Sequence, residues 1–517
     1  MVSDMLQKIP KTRWPKLTWM RLLALLFILA SMLGGTIVVI HQLTPVRAAS
    51  GDWPMYLHDY SRDGSGTDTI ISPSNASQLQ LNWSFKTGGP IASAPAIVGG
   101  TVYVGSWDGY EYALNATTGA LIWKTFLGQT TATCYPQLAG VSSGANINNG
   151  VLYVGGGDSN FYALDPSTGA ILWSVFVGDH TKGWYNWSSP LIYNGYAYVG
   201  TASVGDCPLI PGQLLQISLS THQIVNSYNT VPSGQVGGGI WTSPSIDTST
   251  NTLFVTIGNL TPTADIVALD ATTLAVKSLW AVPEADAAAA GGDSDFGTSP
   301  ILFTDTNGDQ LLGAINKDGI GYVFNRNNLA AGPVWEKQIA IGGTCPECGD
   351  GSVSSAAFGN NTLFMAGGNT VINGKGYTGS VNALDPATGN YLWQHSTPNF
   401  VVPALTYSNG LVLDGAGPTL EVLNASNGTR LWSYTTGGTF YAEPTVANGQ
   451  IFSGHQRPGV AICGGVGGEH VTGACHHQVS RYSTGCDARA LLRTTALRGP
   501  ILHYDAIAGC HQGCIVH

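Results

Sequence analysis

The sequence predicts an all-β chain that folds as an eight-bladed β-propeller with tryptophan-docking repeats, with seven blades as the main alternative. Three observations predict this fold class: one short motif recurs along most of the chain, an aromatic residue closes each copy, and turn-forming residues are abundant. The 517 residues include 68 Gly, and only 10% of them are charged. A motif repeated at a spacing of roughly 20 to 50 residues is typical of propellers and solenoids.

The recurring motif reads as a strand, a polar turn and a second strand that ends on an aromatic residue. It is clearest in ALDPSTGAILW at 163–173, with close copies at 113–123, 383–393 and 422–432 and looser copies at 216–228, 268–280 and 323–335. Asp or Asn in the turn can bond to its own backbone, and Gly supplies a positive φ. Each copy therefore predicts one β-hairpin of a blade.

The closing aromatic residues set the expected number of blades. Eight of them are spaced by 39 to 58 residues: Trp83, Trp123, Trp173, Tyr228, Trp280, Trp335, Trp393 and Trp432. A second series, of the type TSPSI at 242–246, also has eight members. Trp83 precedes the first inner strand, and no outer strand follows AEPTV at 442–446. We therefore expect the segment around Trp83 to complete the last blade.

The first 50 residues predict a signal peptide or a membrane anchor that contains one hydrophobic helix. Five basic residues (Lys8, Lys11, Arg13, Lys16 and Arg21) precede an apolar run of 19 residues, 22–40, which is long enough to span a bilayer. A passable cleavage site, Val46-Arg47-Ala48, follows the run. Both alternatives place the remainder of the chain outside the cytoplasm, either anchored to the cell envelope or secreted.

The propeller is expected over residues 51–455 and an atypical tail over 456–517. Within 51–455 there are 27 acidic and 10 basic residues, which argues against nucleic acid as a partner. The tail holds five of the nine Cys and six of the twelve His without any strand or helix periodicity, so we interpret it as non-native or disordered rather than as a zinc domain.

The remaining cysteines predict disulfides more than metal ligands. Cys345 and Cys348 have CxxC spacing, but no second pair and no neighbouring His accompany them. A local disulfide is therefore preferred over a metal site there. Cys134 and Cys207 could form a second disulfide in the oxidising exterior. No haem is expected, because the sequence contains no CxxCH motif.

Candidate functional residues are densest in residues 237–261, 291–300 and 316–326. These stretches combine an aromatic plate (Trp241), an amide (Asn259), two carboxylates (Asp293 and Asp295) and a cation (Lys317), all expected near the ends of inner strands. Such a set could hold a flat cofactor and a divalent cation. The alternative is that Trp241 belongs to the core and that the Asp residues only cap turns.

Residues 52–455 resemble the tryptophan-docking repeats of pyrroloquinoline quinone (PQQ) dehydrogenases. DWPMYLHD at 52–59 and DSDFGTSP at 293–300 look most similar to the polyvinyl alcohol dehydrogenase-like branch. The resemblance implies that Trp241 in GGGIW stacks on PQQ and that Asn259 in TIGN binds calcium. It also implies that Asp295 is the catalytic base beside the metal and that Lys317 contacts the quinone oxygens. Asp206 lies near the acidic calcium ligand, about one residue out of register.

The resemblance implies an extracytoplasmic PQQ- and calcium-dependent oxidation of an alcohol or polyol, in which hydride passes to PQQ. Electrons would then leave to a separate acceptor, and an uncleaved N-terminal segment would hold the protein at a membrane. Three features of the family have no match here: the adjacent-cysteine disulfide, the Arg that follows it and the Glu of the first inner strand. The alternative is a non-catalytic propeller that acts as a protein-binding scaffold at the cell envelope.

Overall fold

Short antiparallel strands build the fold, because each motif copy alternates between apolar strands and polar turns. The computed structural model describes residues 48–132, 135–205, 207–259, 265–283, 294–343, 345–456 and 460–465. All of them fall within the first of the chain's two structural units, Met1–Gly467. The predicted hydrophobic helix, Cys134, Asp206, Asp293 and the tail after residue 465 lie outside the described residues.

The described part of the chain contains strands and four 3-10 turns, at Ala76–Gln78, His180–Lys182, Leu329–Ala331 and Pro346–Cys348. Over these residues, no helix has the length and the apolar character that a bilayer crossing requires. Before the first blade the chain forms β1 (Ser65–Gly66) and β2 (Gln80–Lys86).

Seven blades follow, each a four-stranded antiparallel sheet built from one continuous stretch of chain. Blades 1 and 2 contain β3 (Ala96–Val98), β4 (Thr101–Gly105), β5 (Tyr110–Asn115) and β6 (Leu121–Phe126), then β9 (Asn146–Asn148), β10 (Val151–Gly155), β11 (Asn160–Leu164) and β12 (Ile171–Phe176). The hairpin β7 (Thr130–Ala132) and β8 (Tyr135–Ala139) separates them. Blade 3 contains β14 (Leu191–Tyr193), β15 (Tyr196–Ser203), β16 (Gln213–Ser218) and β17 (Gln223–Asn229), with β13 (Trp184–Tyr185) added to β15.

The second half of the chain repeats this arrangement. Blade 4 contains β18 (Ser245–Asp247), β19 (Thr252–Thr256), β20 (Asp265–Asp270) and β21 (Val276–Ala281). Blade 5 contains β22 (Ile301–Thr304), β23 (Gln310–Ile315), β24 (Ile320–Asn325) and β25 (Pro333–Gln338). Blade 6 contains β26 (Ala357–Gly359), β27 (Thr362–Gly367), β30 (Ser380–Leu384) and β31 (Tyr391–Ser396), with the hairpin β28 (Thr370–Ile372) and β29 (Lys375–Tyr377) inserted. Blade 7 contains β32 (Thr406–Ser408), β33 (Leu411–Ala416), β34 (Thr419–Asn424) and β35 (Arg430–Thr435), with β1 parallel to β32.

The expected eight blades are corrected to seven blades of continuous chain. The ends of the propeller meet in a composite closing sheet, which combines β36 (Thr445–Ala447), β37 (Gln450–Ser453) and β38 (Val460–Gly465) with β2 from the N-terminal side. The count was wrong because this composite sheet, which closes the ring, was scored as a blade like the others. The expected role of the Trp83 segment is confirmed, since Trp83 lies on β2, which pairs with β38 from the other end of the propeller. β38 also lies beyond residue 455, where we expected the propeller to end.

Four tryptophans on outer strands dock one sheet onto the next. The indole Nε1 of Trp123 donates to Pro166 O at 2.9 Å, and its ring lies against Gly169, where a Cβ atom would come within 2.6 Å of it. Three further tryptophans donate to the next sheet at the same distance: Trp83 to Ala116 O, Trp335 to Pro386 O and Trp393 to Ala425 O. Tryptophan docking between repeats, as predicted, is confirmed.

The strand order places two sets of loops on opposite faces of the ring. In every blade the first strand is buried and the fourth is partly exposed, so the first strand lies nearest the axis. Because neighbouring strands are antiparallel, the turn between strands two and three lies on the same face as the connection to the next blade. We name this side the mouth face. The opposite side, which carries the other two turns of each blade, is the hairpin face.

The N-terminal residues 51–68, which we name the axial segment, close the ring near the hairpin face. This segment exchanges backbone hydrogen bonds with the first strands of six blades, through Ile97, Ile147, Ile246, Leu302, Phe358 and Tyr407. The fully buried Arg62 donates to Pro244 O at 3.1 Å and to Pro190 O at 3.2 Å. The axial segment therefore connects first strands that are far apart in the chain, such as those that contain Ile97 and Tyr407.

A chain of serine hydrogen bonds links the inner strands above the axial segment. The backbone N–H of Ser189 donates to Ser243 Oγ at 2.9 Å, Ser243 N–H to Ser299 Oγ at 2.8 Å and Ser299 N–H to Ser355 Oγ at 2.9 Å. The Ser at the same position of each segment thus bonds to its copy in the next blade. This regular link holds the connections that enter blades 3 to 6 in register.

Candidate active site at the mouth face

Trp241 lies in the connection that enters blade 4, two residues before Ser243. Glycines surround its half-buried ring: a Cβ atom on Gly258 would come within 2.7 Å of the indole Nε1, and one on Gly297 within 2.6 Å of Cη2. The indole Nε1 is buried and has no hydrogen-bond partner among the described residues. Trp241 therefore does not serve as a docking tryptophan, since those donate Nε1 to the next sheet.

Asn259 follows β19 on the mouth face and adopts a left-handed backbone conformation with φ of 64°. Asn tolerates this conformation better than most residues. Its backbone N–H donates to Asp295 Oδ1 at 2.5 Å, and its carbonyl oxygen accepts the N–H of Gly238 at 3.0 Å. A Cβ atom on Gly239 would come within 2.3 Å of Asn259 Oδ1. The glycines before Trp241 therefore make room for the Asn259 side chain.

Asp295 and Lys317 form the charged centre of the site. Lys317 Nζ donates to Asp295 Oδ2 at 2.8 Å, and the Lys317 backbone N–H donates to Asp295 O at 2.9 Å. The exposed fraction is 14% for the Lys317 side chain and 3% for that of Asp295. Each carboxylate oxygen of Asp295 thus accepts one hydrogen bond, and its remaining lone pairs can still accept a hydrogen bond from a hydroxyl group.

The turn that carries Lys317 is fixed by its neighbour Asp318. Asp318 Oδ1 accepts the N–H of Ile320 at 2.7 Å, and Oδ2 accepts the hydroxyl of Tyr322 at 2.8 Å. The ammonium group of Lys317 lies 5.7 Å from the centroid of the Trp241 ring, within the range of a cation–π contact. The cation therefore lies beside both the carboxylate and the aromatic plate.

The structure brings together four of the predicted site residues on the mouth face, where blades 4 and 5 meet. Trp241 and Asn259 belong to blade 4, whereas Asp295 and Lys317 belong to blade 5. The two other candidates, Asp206 and Asp293, lie outside the described residues. Trp241 differs from the docking tryptophans in its unbonded Nε1, and its ring is half-buried.

These residues fit a flat, anionic cofactor better than they fit a complete metal shell. Trp241 supplies a stacking plate with a cation beside it, which suits an aromatic ligand that carries negative charge. Calcium takes six to eight oxygen ligands. The described residues contain no group of three or more His, Cys, Asp or Glu side chains that could hold a metal ion. Asn259 and Asp295 could supply only part of a shell.

Sequence reasoning missed the three glycines that shape the site. Gly239, Gly258 and Gly297 each lie where a Cβ atom would collide with Asn259, Asp295 or Trp241. Each one stands within two residues of a predicted site residue, in GGGIW, TIGN or DSDFG. That adjacency was the available signal, but a turn or a bulge also explains a glycine in a strand-rich chain.

Three cysteines of the described region, Cys207, Cys345 and Cys348, form disulfides. Cys345 and Cys348 are joined, with their Cα atoms 5.1 Å apart, so the expected local disulfide is confirmed. Cys207 is also disulfide-bonded, while its expected partner Cys134 lies outside the described residues. The Cys345–Cys348 loop is close to the site, because Gly343 N–H donates to Lys317 O at 3.3 Å.

Known proteins resemble this chain in sequence and in fold. A polyvinylalcohol dehydrogenase from Pseudomonas sp is 24% identical over 452 residues, which cover 74% of this chain and 69% of that protein. The structure of the quinohemoprotein alcohol dehydrogenase from Comamonas testosteroni matches with a TM-score of 0.67 at 18% identity, over 84% of this chain and 83% of that one. In sequence and fold the chain is thus alcohol dehydrogenase-like.

Proteins of outer-membrane assembly share the same repeats. BamB from Moraxella catarrhalis matches with a TM-score of 0.51 at 16% identity, over 77% of this chain and 99% of that one. The PQQ_2 family, described as "Outer membrane protein assembly factor BamB", matches residues 64–203 and 333–461, together more than half of the chain. The chain therefore belongs to the PQQ_2 repeat family and is a β-propeller of the PQQ-dependent dehydrogenase type.

Proposed function

We propose that this protein oxidises an alcohol with PQQ as its cofactor, at the mouth face between blades 4 and 5. The observation that carries the proposal is the cluster of Trp241, Asn259, Asp295 and Lys317 in one network of contacts. The similarity to polyvinylalcohol dehydrogenase of Pseudomonas sp and to quinohemoprotein alcohol dehydrogenase supports the reaction class. PQQ, when bound, supplies the acceptor for the hydride that leaves the alcohol carbon.

Trp241 would hold the ring system of the cofactor by stacking. Its ring is fixed between Gly258 and Gly297, so its plane is set before a ligand arrives. A preformed plate loses little conformational entropy on binding, which favours affinity. The ammonium group of Lys317, at 5.7 Å from the ring centroid, would attract the negatively charged oxygens of the cofactor.

Asp295 would act as the general base at its carboxylate oxygens. A base for alcohol oxidation must lie within hydrogen-bond reach of the hydroxyl proton that it removes. Asn259 N–H and Lys317 Nζ each donate to a different oxygen of Asp295 and so fix the plane of the carboxylate. Lys317 would also remain beside the carboxylate as the proton arrives, ready to support negative charge on the cofactor.

Calcium would occupy the Asn259 side of the site. Asn259 Oδ1 and an Asp295 oxygen are hard ligands of the kind that calcium prefers, and Asp206 is a third candidate. The cofactor's own oxygens would have to complete the shell. Lys317 Nζ occupies Asp295 Oδ2, so Oδ1 is the Asp295 oxygen on the Asn259 side of the site.

The reaction requires an electron acceptor outside this chain. We expect a separate redox partner, and no haem of the chain's own, because the sequence lacks a CxxCH motif. The basic residues and the apolar run 22–40 support a location outside the cytoplasm, with a membrane attachment if that segment is retained. The same repeats occur in proteins named as outer membrane assembly factors, and this supports a location at the cell envelope.

Calorimetric titration of PQQ into the purified full chain, with calcium present, tests the proposal. We expect saturable binding that Trp241→Ala weakens by at least about tenfold, and less so Trp241→Phe, which keeps a plate. A dye-linked assay with a panel of alcohols should then show oxidation that requires PQQ. No binding of PQQ to a folded protein, as judged by circular dichroism, would contradict the proposal.

A non-catalytic scaffold is the second candidate function. The match to a family described as an outer membrane assembly factor and the fold of Moraxella BamB favour it. A scaffold does not need Trp241, Asp295 and Lys317 to be in contact. If PQQ does not bind, affinity capture from a cell-envelope extract becomes the next experiment. If the protein is a scaffold, it should capture a specific partner, and the Trp241→Ala variant should capture the same partner.

A further inference from the structure

A second series of hydrogen bonds joins neighbouring blades, one residue before the serine chain described above. In three blades a serine hydroxyl donates to the carbonyl oxygen at the same position of the next blade. These bonds run from Ser93 Oγ to Ser143 O at 3.1 Å, from Ser143 Oγ to Ser188 O at 3.0 Å and from Ser354 Oγ to Pro403 O at 2.7 Å. A direct link from hydroxyl to carbonyl therefore recurs around the ring.

At the junction of blades 4 and 5, this link contains an additional hydroxyl group. Thr242 and Thr298 hold the equivalent positions there, but Thr298 O accepts the hydroxyl of Thr256, at 2.7 Å. Thr256 Oγ1 also lies 2.8 Å from Thr242 Oγ1, which donates to Thr256 O at 3.1 Å. We name these three residues the threonine bridge. It lies at the junction that carries the candidate active site.

Thr256 occupies a position that belongs to glycine in blades 1 to 3. The equivalent residues are Gly105, Gly155 and Gly200, each two residues after the partner of the first residue of the innermost strand. A Cβ atom on these glycines would come within 2.4 to 2.6 Å of the connection that enters the next blade. Thr256 thus carries a side chain where one sheet closely approaches the next, and its hydroxyl group bonds to that neighbour.

On the blade 4 side, the threonine bridge is joined to two residues of the candidate site. Thr242 directly follows Trp241, and Thr256 is three residues before Asn259. Thr242 is 4% exposed, and Thr256 and Thr298 are fully buried. Hydrogen bonds between buried groups are stronger than those exposed to water, so the bridge constrains the geometry around it.

On the blade 5 side, the bridge is joined to the ion pair. Thr298 Oγ1 donates to Ile315 O and accepts the N–H of Ile315, both at 2.8 Å. Ile315 is two residues before Lys317, and Thr298 is three residues after Asp295. The bridge therefore connects the stretches that carry all four residues of the candidate site.

We propose that Thr256 is a positioning residue, whose hydroxyl group sets the distance between the Trp241 plate and the Asp295–Lys317 pair. This inference rests on the proposed function and adds to it a residue that acts through others. Trp241 would hold the cofactor and Asp295 the substrate hydroxyl, so two different blades supply the two sides of the reaction. A shift of about 1 Å between reacting groups can lower a rate by about 100-fold.

The test removes the hydroxyl group with Thr256→Val, which keeps a β-branched side chain on the strand. Thr201→Val in β15 is the matched control. Thr201 is also buried, and its hydroxyl group has no hydrogen-bond partner among the described residues. Thr256→Ser keeps the hydroxyl group and is the conservative variant that should rescue the effect.

Steady-state kinetics of the PQQ-loaded protein, with the alcohol of the dye-linked panel that has the highest kcat/KM, provide the first measurement. Thr256→Val should lower kcat by about tenfold or more and change the KM of the alcohol and the Kd of PQQ by less than about threefold. Thr256→Ser should recover most of kcat, and Thr201→Val should match the wild type. A wild-type kcat in Thr256→Val, or a raised KM alone, would overturn the proposal.

A double-mutant cycle separates positioning from a general loss of structure. Because Thr256 would act through Asp295, the loss of kcat caused by Thr256→Val should largely disappear when Asp295→Asn is already present. The same fractional loss in both backgrounds would overturn the proposal, since Thr256 would then act independently of the base.

Amide hydrogen exchange of the full chain without PQQ measures the link itself. The N–H groups of Asn259 and Lys317 both donate to Asp295, so their exchange reports how firmly the two blades are held together. In peptides that contain these residues, Thr256→Val should raise the exchange rate by about tenfold, and Thr201→Val should not change it. Equal rates in the wild type and in Thr256→Val would overturn the proposal.

The two proposals fail in distinguishable ways. Faster exchange in Thr256→Val, in a protein that binds no PQQ and oxidises no alcohol, would support the bridge as the device that positions these residues and would reject the proposed function. PQQ-dependent oxidation that Thr256→Val leaves unchanged would reject the positioning role and support the proposed function.

Discussion

Lys317 Nζ donates to Asp295 Oδ2 at 2.8 Å, and this ion pair is the centre of the candidate site. The two residues belong to different loops of blade 5, the connection that enters it and the turn between its second and third strands. Both loops lie on the mouth face because neighbouring strands are antiparallel. The pair therefore follows directly from the blade topology.

Asp295→Asn should abolish most of the alcohol oxidation. The amide has nearly the same shape but cannot accept the hydroxyl proton, so kcat should fall by at least about 100-fold. Binding of PQQ, measured by calorimetry, should change little in comparison. Asp309→Asn makes the same chemical change at an exposed turn of the hairpin face and should retain full activity. A kcat close to that of the wild type would exclude Asp295 as the base.

Lys317→Met should lower both activity and stability. The substitution keeps the length of the side chain but removes the charge, and it leaves the buried Asp295 with one donor fewer. Loss of a charged partner of this kind costs about 1–3 kcal/mol in the free energy of unfolding. Lys317→Arg can still donate to Asp295, so it should be intermediate in both respects. Denaturant unfolding and the dye-linked assay measure the two effects, and an unchanged protein would show that the ion pair is incidental.

Gly297→Ala should weaken PQQ binding, although it replaces no residue that would contact the ligand. The added Cβ atom would come within 2.6 Å of Trp241 Cη2 and 2.4 Å of Val353 Cγ1, so the plate must move. We expect the dissociation constant of PQQ to rise by about tenfold or more. Gly376→Ala is the matched control, because nothing lies within 4 Å of a Cβ atom there and the backbone φ of Gly376, like that of Gly297, is not positive. Wild-type affinity in Gly297→Ala would mean that Trp241 does not hold the cofactor.

Glu443→Gln should change how stability depends on pH. Burial raises the pKa of Glu443 from 4.5 to about 8, despite the N–H of Leu57 and the charge of Arg62 nearby. The folded state therefore holds a proton that the unfolded state releases between about pH 4.5 and 8. Stability from this group is present below that window and is lost as pH rises through it.

The carboxamide group of the Glu443→Gln variant does not titrate, and its oxygen can still accept the hydrogen bond from Leu57 N–H. The free energy of unfolding of the variant, relative to the wild type, should thus increase by up to about 1.4 kcal/mol per pH unit across the window. Below about pH 4.5 the difference should stay constant. Denaturant unfolding at a series of pH values checks this, and parallel curves for both proteins would refute it.

Arg62→Met should destabilise the whole ring. It would leave buried carbonyl groups of Pro244, Pro190 and Ser189 without the donors that the guanidinium now supplies. We expect a loss of about 3–5 kcal/mol in the free energy of unfolding, from several unsatisfied groups together. Lys182→Met, at a side chain that is 72% exposed, should change it by less than about 0.5 kcal/mol. An Arg62→Met protein as stable as the wild type would mean that the axial segment does not hold the blades together.

The sequence by itself determined the all-β repeat architecture, the hairpins and the docking tryptophans. These features depend on residues close together in the chain, such as Asp165 and Gly169 in one turn, so a local pattern is enough to predict them. It also pointed to Trp241, Asn259, Asp295 and Lys317, although their roles rest on a family resemblance.

Only the tertiary structure decided how distant segments meet. It showed that Trp83 closes the ring by pairing β2 with β38, that the axial segment joins six blades through Arg62 and its neighbours, and that Asp295 lies against Lys317. It also showed why Gly239, Gly258 and Gly297 carry no side chain. The physical reason is that these contacts join residues far apart in the chain, and their fit depends on volumes and hydrogen-bond directions that no local pattern encodes.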